Sequence, residues 1–418
     1  MEIAVIGSGI SGMSASLFLS KNNNVTLYEK NDYLGGHSNT KKIDYNSKKI
    51  NVDTGFIVFN ELNYPNLLKL FNHYNVAYEE SDMSLSVSNL HNGLEWSGQN
   101  LGTIFLDKRR FFNYKFIQFV FDILKFNLQV KRNIQLFSKS NETLEGWLMN
   151  KNFSQQFIED YLLPMSAAIW SMSEKNILNY PISNLLNFFN NHRLLHRKKM
   201  RPKWLTVSNG SKSYIEKIFK TANFKKRLNS EVQKIYRKKN KIIIIDGSGY
   251  KCEYDKIIFS IHPERILKIE NDFDKKITNI LKLFNTTKNV AYLHYDKKLM
   301  PKNKKLWSSW NVFSNKNLNK VSLTYWMNKL QNIDFDYPLF VSLNPIQLPD
   351  ENKIFERINY EHPLYDTNAI VGQQNLEGIQ GYKDIWYCGA WTDNGFHEAG
   401  ISSSIKIINK LNGVLPWN

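Results

Sequence analysis

Three glycines near the start of the chain have the spacing of a dinucleotide-binding turn. Gly7, Gly9 and Gly12 follow an apolar run at 3–6, which is too short for a helix and is typical of a buried strand. In such a turn the first glycine permits the tight bend and the second lets the backbone approach a pyrophosphate. The third lets the following helix pack against the strand. The pattern therefore predicts chemistry that needs a bound nucleotide.

The residues after the turn favour a nucleotide site over an ordinary loop. Residues 13–20 read as a helix, with Ile10 and Ser11 at its positive N-terminus, where phosphates would meet free N–H groups. The next predicted strand, 24–28, ends in Glu29, whose carboxylate can accept both hydroxyls of a ribose. Glycines alone also occur in plain turns, but this acidic residue makes a nucleotide the favoured interpretation.

A glycine pair after the acidic residue indicates which nucleotide is bound. Gly35 and Gly36 lead into His37 and Ser38. This doublet resembles the second phosphate-and-ribityl loop of flavin amine oxidases and phytoene desaturases, which simple nicotinamide dehydrogenases lack. The resemblance implies FAD as the cofactor.

A third glycine turn follows a predicted strand at 49–53. In flavin oxidases a turn of this kind brings backbone close to the isoalloxazine ring, and Gly55 would permit that approach. Phe56 comes directly after it. A plain strand turn is the alternative, and the two preceding motifs favour the flavin interpretation.

The end of the chain carries a second candidate cofactor segment. A predicted strand at 385–391 contains Gly389 and leads through His397, Glu398 and Ala399 into a helix predicted from residue 401. A helix starting here would direct backbone N–H groups at the N1 and C2 carbonyl edge of a flavin. Its dipole would stabilise the negative charge of the reduced ring.

Length and charge limit the classes of protein. The 418 residues favour two interleaved domains, and 42% hydrophobic content is that of a folded protein. The formal net charge of +17 favours anionic partners such as acidic lipid headgroups, although compositional drift explains scattered basic residues equally well. We predict no nucleic-acid role, because no helix-turn-helix, zinc-finger or RNP-like pattern occurs.

Cysteine usage and the first residues predict a compartment. Cys252 and Cys388 form no disulfide framework and no metal pair, so a reducing environment is the default. The first predicted strand leaves no room for a signal peptide, and no apolar run is long enough to span a membrane. We expect a cytoplasmic protein, with peripheral membrane contact left open.

A substrate domain is predicted to begin near residue 57. It includes a mostly apolar helix at 115–130. Its polar residues fall three and four apart and form one narrow stripe: Lys115, Gln118, Asp122, Lys125 and Gln129. Such a helix is either buried on most sides, which is the commoner outcome, or lies against a bilayer or a mobile partner helix. The flanking basic residues suit an interfacial helix: Arg109, Arg110, Lys131 and Arg132.

The second half of the chain is predicted to leave the substrate domain and return to it. A hairpin at 229–245 resembles the block that rejoins the nucleotide domain in two-domain flavin oxidases, where a valine in the place of Val232 touches adenine through its backbone. Four later strands are spaced for an antiparallel sheet: 288–295, 306–313, 321–327 and 339–343.

These motifs together resemble one family over essentially the whole chain. They are GGHSNT, VDTGFIVFN, YLLPMSAAIWS, RPKW-x-TV, TYWMNKLQ, VSLNP and GFHEAG. They are similar to those of bacterial predicted NAD/FAD-binding proteins of the flavin-containing amine oxidase and phytoene desaturase superfamily. Relatives of those proteins are encoded beside, or fused to, cyclopropane fatty acid synthases.

The resemblance implies an α/β fold like that of amine oxidases. A Rossmann-like FAD-binding domain at 1–56, 205–265 and 360–418 would carry an inserted α+β substrate domain, an antiparallel sheet plus helices, at 57–204 and 266–359. The family usually has an acidic residue where Ala399 stands, so any function of that carboxylate must be absent here. No cysteine occupies the position of covalent flavin attachment in monoamine oxidases, which implies noncovalent FAD.

The activity implied is that of an FAD-dependent oxidoreductase passing hydride from a carbon of a hydrophobic, fatty-acyl or lipid, substrate to flavin N5. An amine oxidase, an FAD-dependent double-bond isomerase and a non-catalytic flavoprotein partner of a lipid methyltransferase are the alternatives. His397 and Glu398 are the candidate catalytic residues, although holding the turn and the flavin is at least as good an interpretation of both. The expected cofactor contacts are Gly7, Gly9, Ile10, Ser11, Gly12, Glu29, Gly36, His37, Ser38, Gly55, Phe56, Val232, Gly389, His397, Glu398 and Ala399.

Overall fold

A computed structural model describes residues 1–137, 142–170, 172–196, 200–269, 274–315, 317 and 320–417. Within them the strands are β1 Glu2–Ile6, β2 Asn24–Tyr28, β3 Thr40–Tyr45, β4 Lys48–Asp53, β5 Val58–Asn60, β6 Tyr78–Ser81, β7 Leu85–Asn89, β8 Glu95–Ser97, β9 Trp204–Val207, β10 Lys225–Arg227, β11 Val232–Lys238, β12 Lys241–Asp246, β13 Lys251–Tyr254, β14 Lys256–Phe259, β15 Asn285–His294, β16 Trp310–Asn315, β17 Lys320–Trp326, β18 Phe340–Leu343, β19 Ile354–Leu364 and β20 Ile385–Tyr387.

The α-helices of the same residues are α1 Ile10–Leu19, α2 Pro65–His73, α3 Leu101–Ile104, α4 Tyr114–Phe137, α5 Leu144–Met149, α6 Gln155–Phe157, α7 Leu163–Trp170, α8 Glu174–Leu178, α9 Ile182–Asn191, α10 Lys212–Thr221, α11 Pro263–Ile269, α12 Lys275–Leu281, α13 Met327–Leu330, α14 Thr367–Asn375 and α15 His397–Lys410. The start of α15 is four residues earlier than the sequence predicts, which brings His397 and Glu398 into its first turn.

A five-stranded parallel sheet is the centre of the nucleotide-type domain. Its order is β10-β2-β1-β14-β20, so the first strand of the chain lies in the middle and the last strand at one edge. The apolar residues of β1 are all buried, as the short apolar run predicts. Because the strands are parallel, their carboxyl ends meet at one side of the sheet, where open α/β sheets bind ligands.

Helices cover one face of this sheet and a second sheet covers the other. Helices α1, α2, α10 and α15 contribute Phe18, Phe71, Tyr214 and Ile401 to one buried cluster. On the opposite face the antiparallel sheet β11-β12-β13 packs its isoleucines against the same strands. The result is a layered α/β domain in which residues from both ends of the chain share one core.

A second, larger sheet forms the rest of the molecule. Its order is β19-β15-β18-β17-β16-β7-β8, and every pair is antiparallel except β7 with β16. The predicted antiparallel sheet is thereby confirmed, although β16 begins at Trp310 because a short 3-10 turn occupies Lys304–Leu306. Its strands come from 57–204 and 266–359, apart from the end of β19, which passes residue 360.

Helix α4 is not buried on most sides, which is the arrangement the sequence favours. Phe116, Phe119, Phe126 and Val130 are at most 2% exposed, but the opposite side of the helix faces solvent. The predicted polar stripe runs along the boundary between these sides, where it holds the segment at 152–154. Asp122 accepts a hydrogen bond from the Ser154 N–H (2.8 Å), and Lys125 donates to the Asn152 carbonyl (2.5 Å). No helix among the described residues is both long and apolar enough to cross a membrane.

Candidate active site

The glycine turn after β1 is built as the spacing predicts. Gly7 has a φ of 101°, and a Cβ on Gly12 would lie 1.9 Å from the Gly7 carbonyl oxygen, so both positions require glycine. Gly9 is different, because a Cβ there would have no heavy atom within 4 Å. Gly9 is the N-cap of α1 and supplies no side-chain cap to the helix. This glycine is therefore not required by packing within the described residues, and its outer side is open.

Glu29 ties the turn to the end of β2. Its Oε2 accepts hydrogen bonds from the N–H (3.1 Å) and the hydroxyl (2.6 Å) of Ser8, and its Oε1 accepts one from the Asn31 N–H (3.0 Å). The segment leading into β11 lies alongside, since the Ser230 N–H donates to the Glu29 carbonyl (2.8 Å). Val232 follows two residues later with its side chain buried, and its backbone contact with adenine stays a prediction. A ribose role for Glu29 stays a prediction.

The second glycine turn packs on the first, and the third packs on the second. A Cβ on Gly36 would lie 3.0 Å from the Gly9 Cα, and a Cβ on Gly55 would lie 2.3 Å from the His37 carbonyl oxygen. That carbonyl accepts a hydrogen bond from the Phe56 N–H (2.8 Å). Loops that are separate in sequence thus form one continuous surface.

The first turn of α15 closes this surface. The His397 Nε2 lies 3.0 Å from the Ser38 hydroxyl and 3.3 Å from the Tyr214 hydroxyl, and its ring stacks on Phe56 with a centroid distance of 3.6 Å. Burial lowers the pKa of His397 to about 3, so the imidazole is neutral at physiological pH. Three predicted site residues from distant parts of the chain therefore meet, and Tyr214 joins them although the sequence gives no sign of it beyond the core face of α10.

Both ends of the chain meet at the N-termini of two helices. A Cβ on Gly400, beside buried Ala399, would lie 2.7 Å from Ile10 Cγ2 and 2.9 Å from the Ser11 hydroxyl oxygen. Like α1, α15 has no side-chain N-cap. Gly389, two residues beyond the end of β20, donates its N–H to the hydroxyl of Ser403 in α15 (3.0 Å). Two positive helix ends therefore lie side by side, which favours an anionic ligand.

His37 supplies a buried polar atom without a partner. Its ring stacks on Tyr360 (5.1 Å) and lies 5.5 Å from the ring of His362. Its Nε2 is enclosed and has no hydrogen-bond partner among the described residues. Burial, and then the nearby His362, lower the pKa of His37 well below its ordinary value. An enclosed polar nitrogen of this kind is a ready donor or acceptor for a ligand. No group of His, Cys, Asp and Glu side chains in the described ranges is placed to hold a metal ion.

Glu398 caps another helix. Its carboxylate accepts hydrogen bonds from the N–H groups of Asn66 (3.1 Å) and Leu67 (3.0 Å), in the first turn of α2, and from the Asn66 amide (2.7 Å). The sequence allowed two roles for Glu398, catalysis or holding the turn, and these contacts are those of a residue that holds the turn. The carboxylate fixes α2 to the start of α15.

We expect Glu398→Ala to lower the free energy of unfolding by about 1–2 kcal/mol, the usual effect of losing a helix cap. Urea denaturation of the purified variant measures this, with Glu398→Gln as the matched control that keeps an acceptor oxygen. Unchanged stability in the alanine variant would contradict the capping role.

The carboxylate of Asp53, which the sequence analysis did not propose as a site residue, joins the segments that carry Thr40, Ser211 and Gln331. Asp53 is fully buried and accepts hydrogen bonds from the Thr40 hydroxyl (2.5 Å), the N–H and hydroxyl of Ser211 (2.9 and 2.8 Å) and the Gln331 amide (2.9 Å). Burial raises the pKa of Asp53 to about 6, while the bonds from Thr40 and Ser211 oppose that shift. Because Gln331 belongs to the second sheet's domain, Asp53 links both domains beside Gly55.

Asp53→Ala is expected to cost about 3 kcal/mol of folding free energy, because it leaves four buried donors without their acceptor. Thermal or urea unfolding checks the value. Asp44→Ala, at an exposed position of the neighbouring β3, is the control and should change little. A loss below about 1 kcal/mol for Asp53→Ala would refute the network's importance.

A cavity of about 410 Å³ lies on the outer side of the α15 N-terminus. Its walls are mainly aromatic and amide side chains, with no Lys or Arg among the lining residues: Asn63, Tyr64, Trp170, Tyr180, Asn184, Asn187, Phe188, Asn191, His192, Ile370, Gln373, Gln374, Asp393, Asn394, Phe396, Glu398, Ala399 and Ser402. Burial lowers the pKa of His192 to about 4, so it also is neutral. The charged side chains among the lining residues are those of Asp393 and Glu398, and Glu398 is already bonded to α2.

Comparison with known proteins supports the architecture. Residues 5–74 match the NAD(P)-binding Rossmann-like domain family. The whole structure is similar to a putrescine oxidase (TM-score 0.70, 10% identity, 99% of each chain) and to the cyclohexylamine oxidase of Brevibacterium oxydans IH-35A (0.68, 12%, 98% of this chain and 99% of that one). It is also similar to a fatty acid isomerase of P. acnes that produces CLA (0.69, 14%, 98% of each chain). No curated protein matches the sequence.

The structure therefore has the fold of these solved amine oxidases and of the fatty acid isomerase, with a Rossmann-type nucleotide domain at residues 5–74. The resemblance to the flavin amine oxidase superfamily, drawn from the motifs, is confirmed at the level of fold.

Proposed function

We propose that this protein binds FAD noncovalently and acts as an FAD-dependent oxidoreductase on a carbon of a hydrophobic substrate. The observation that carries the proposal is the meeting of two helix N-termini, from opposite ends of the chain, around a glycine whose outer side is open. The fold shared with amine oxidases and a fatty acid isomerase supports the same cofactor class.

In this proposal three groups of residues would hold the FAD molecule. The ADP portion would lie on the first turn and the end of β2, the ribityl chain and ring on the two later glycine turns, and the ring edge at the start of α15. In that order the groups are Gly7, Gly9, Ile10, Ser11, Gly12, Glu29 and Val232; Gly36, His37, Ser38, Gly55 and Phe56; Gly389, His397, Glu398 and Ala399. The unpartnered His37 Nε2 would gain a partner from the cofactor.

When bound, FAD supplies the capacity to take up a hydride; the chain supplies orientation and a dry environment. His397 is neutral and is held by Ser38, Tyr214 and Phe56, so it presents a fixed hydrogen-bonding edge and moves no proton at ordinary pH. Glu398 is committed to α2. We propose that both residues position the cofactor end of α15, and that neither transfers a proton in the reaction.

The cavity beside α15 is our candidate for the substrate site. Its aromatic walls and amide groups can hold an acyl chain or another neutral body, and the absence of a basic side chain together with the carboxylates of Asp393 and Glu398 disfavours an anionic one. We propose a fatty-acyl or lipid substrate on this basis, with the charged end of such a molecule lying outside the cavity. A cytoplasmic location and contact with a lipid methyltransferase belong to the same proposal.

Anaerobic mixing with candidate substrates, followed at the flavin absorbance, tests the function. We expect fatty-acyl lipids to bleach the flavin. Bleaching by amines alone, with peroxide formed on admitting air, would instead establish an amine oxidase. A lipid product of unchanged mass would establish the isomerase alternative, which the similarity to a fatty acid isomerase favours as the second candidate. A flavin that no lipid extract or amine reduces, and no altered product, would leave the non-catalytic partner role and contradict the oxidoreductase.

A further inference from the structure

A strip of exposed apolar side chains runs along the outer side of α4 and the segment before it. Phe112, Tyr114 and Phe121 are 93%, 77% and 66% exposed. We call this strip the α4 face; its members are Leu101, Phe111, Phe112, Tyr114, Phe121, Leu124 and Leu128. On α4 itself, Tyr114, Phe121, Leu124 and Leu128 are spaced by seven, three and four residues, so they share one side of the helix. Exposed apolar surface of this kind marks a surface that contacts something other than water.

Packing of the helix does not require the strip. The inner side of α4 already fills the core with Phe116, Phe119, Phe126 and Val130. Its boundary residues Asp122 and Lys125 are used to hold the chain at 152–154. The helix is therefore fixed in rotation, and Phe121, Leu124 and Leu128 face outward as a consequence.

Positive charge frames the α4 face at both ends. Exposed Lys108 and Lys115 lie at its start, and exposed Lys131 and Arg132 lie near its end. The two acidic residues of this stretch do not oppose them, because Asp107 is paired with Arg109 (2.8 Å) and Asp122 is buried. An apolar strip with basic ends is the pattern of a helix that lies in the plane of a membrane interface.

We propose that the α4 face docks on the surface of an anionic lipid bilayer. The apolar side chains would enter the boundary between headgroups and acyl chains, while the basic ends contact acidic headgroups. A second copy of this chain fits less well, since a symmetric pairing of the same strip would bring two sets of basic residues together. Phe126 of the inner side packs on Phe189 of α9, the helix whose other side lines the 410 Å³ cavity. Docking would thus leave two helices, α4 and α9, between the membrane and the candidate substrate site.

Vesicle flotation of the full chain, as purified, tests the proposal. The vesicles are phosphatidylcholine alone or mixed with phosphatidylglycerol, at low and high salt. We expect binding only to the mixed vesicles, weakened by salt. The variants Phe112→Ser with Phe121→Ser, and Lys131→Glu with Arg132→Glu, should each lower the partition coefficient by about tenfold or more. Phe335→Ser with Leu348→Ser, also exposed but distant in sequence, is the matched control and should bind as the wild type does.

Absence of binding to mixed vesicles at low salt would overturn the proposal, as would equal binding of all three variants. Thermal unfolding ensures that lost binding does not reflect lost folding. Sedimentation without vesicles tests whether a second copy of the chain covers the α4 face instead. A wild-type dimer that the Phe112→Ser and Phe121→Ser changes dissociate would assign the face to that second copy and contradict docking on a bilayer. None of these outcomes depends on FAD or on turnover, so they are distinct from failure of the proposed function.

Discussion

Replacing Gly9 with alanine is expected to lower the affinity for FAD by at least about tenfold, or 1.4 kcal/mol. The added methyl group would enter the open space at the N-terminus of α1, where the backbone must approach the pyrophosphate. The same change should leave the cofactor-free fold almost intact, because the methyl meets no protein atom within 4 Å and Gly9 has an ordinary φ of −60°. Fluorescence titration of FAD, with urea unfolding of the cofactor-free protein, measures both effects.

Gly378→Ala is the matched control for this substitution. A methyl group added at Gly378 would also meet no heavy atom within 4 Å, and this glycine lies in a short 3-10 turn far along the chain. The change should alter neither affinity nor stability appreciably. Gly12→Ala is the opposite case, since its Cβ would lie 1.9 Å from the Gly7 carbonyl oxygen and should disrupt the fold itself. Normal FAD affinity in Gly9→Ala would show that the cofactor does not lie on this turn.

The second large expected effect is loss of stability in mild acid. Burial lowers the pKa of His192, His294 and His362 to about 4 and that of His397 to about 3. In the unfolded chain these histidines bind their protons with the ordinary pKa of about 6.5. The stability that they contribute is therefore complete above that pH and is lost as the pH falls. Each should cost about 2 kcal/mol between about pH 7.5 and pH 5, and four together about 8 kcal/mol; the raised pKa of Asp53 offsets about 1 kcal/mol of this, and the remainder is comparable with the whole stability of a domain.

Urea midpoints across this pH range measure the effect, and His294 provides the sharpest variant. Its Nε2 bonds the Ser342 hydroxyl (2.8 Å) and its Nδ1 accepts from the Asp296 N–H (3.1 Å), and both bonds are buried at the end of β15. His294→Gln should reduce the pH slope by about one proton. Ser342→Ala removes the same hydrogen bond without a titrating group and should keep the slope. A flat stability profile down to pH 5 would contradict the burial of these rings.

The sequence was informative where a local pattern has one structural solution. The glycine spacing around Gly7 and Gly12 could be interpreted because no other residue fits those backbone positions, and the antiparallel strands followed from alternation and spacing. Helix α4 was harder. A mostly apolar helix with a narrow polar stripe normally turns that stripe to solvent, but here the stripe holds residues 152–154 and an apolar side faces outward. Only tertiary contacts decide between these orientations.

The same limit applies to the site. His397, Ser38 and Phe56 could be proposed separately from motifs, but their mutual contact could not, because it depends on packing between segments that are hundreds of residues apart. Tyr214, Tyr360 and His362 stand in an ordinary helix and an ordinary strand, so nothing in their local sequence marks them. Asp53 was within a recognised motif, yet its role as a buried link to Ser211 and Gln331 became visible only with all partners in place.

Reconstitution with FAD is the most direct test of the central claim that both ends of the chain hold one flavin. Protein unfolded, freed of small molecules and refolded with excess FAD should bind one FAD per chain, become yellow, and release the flavin on acid precipitation, as a noncovalent complex must. Protein that folds with its normal secondary structure but stays colourless would contradict the claim.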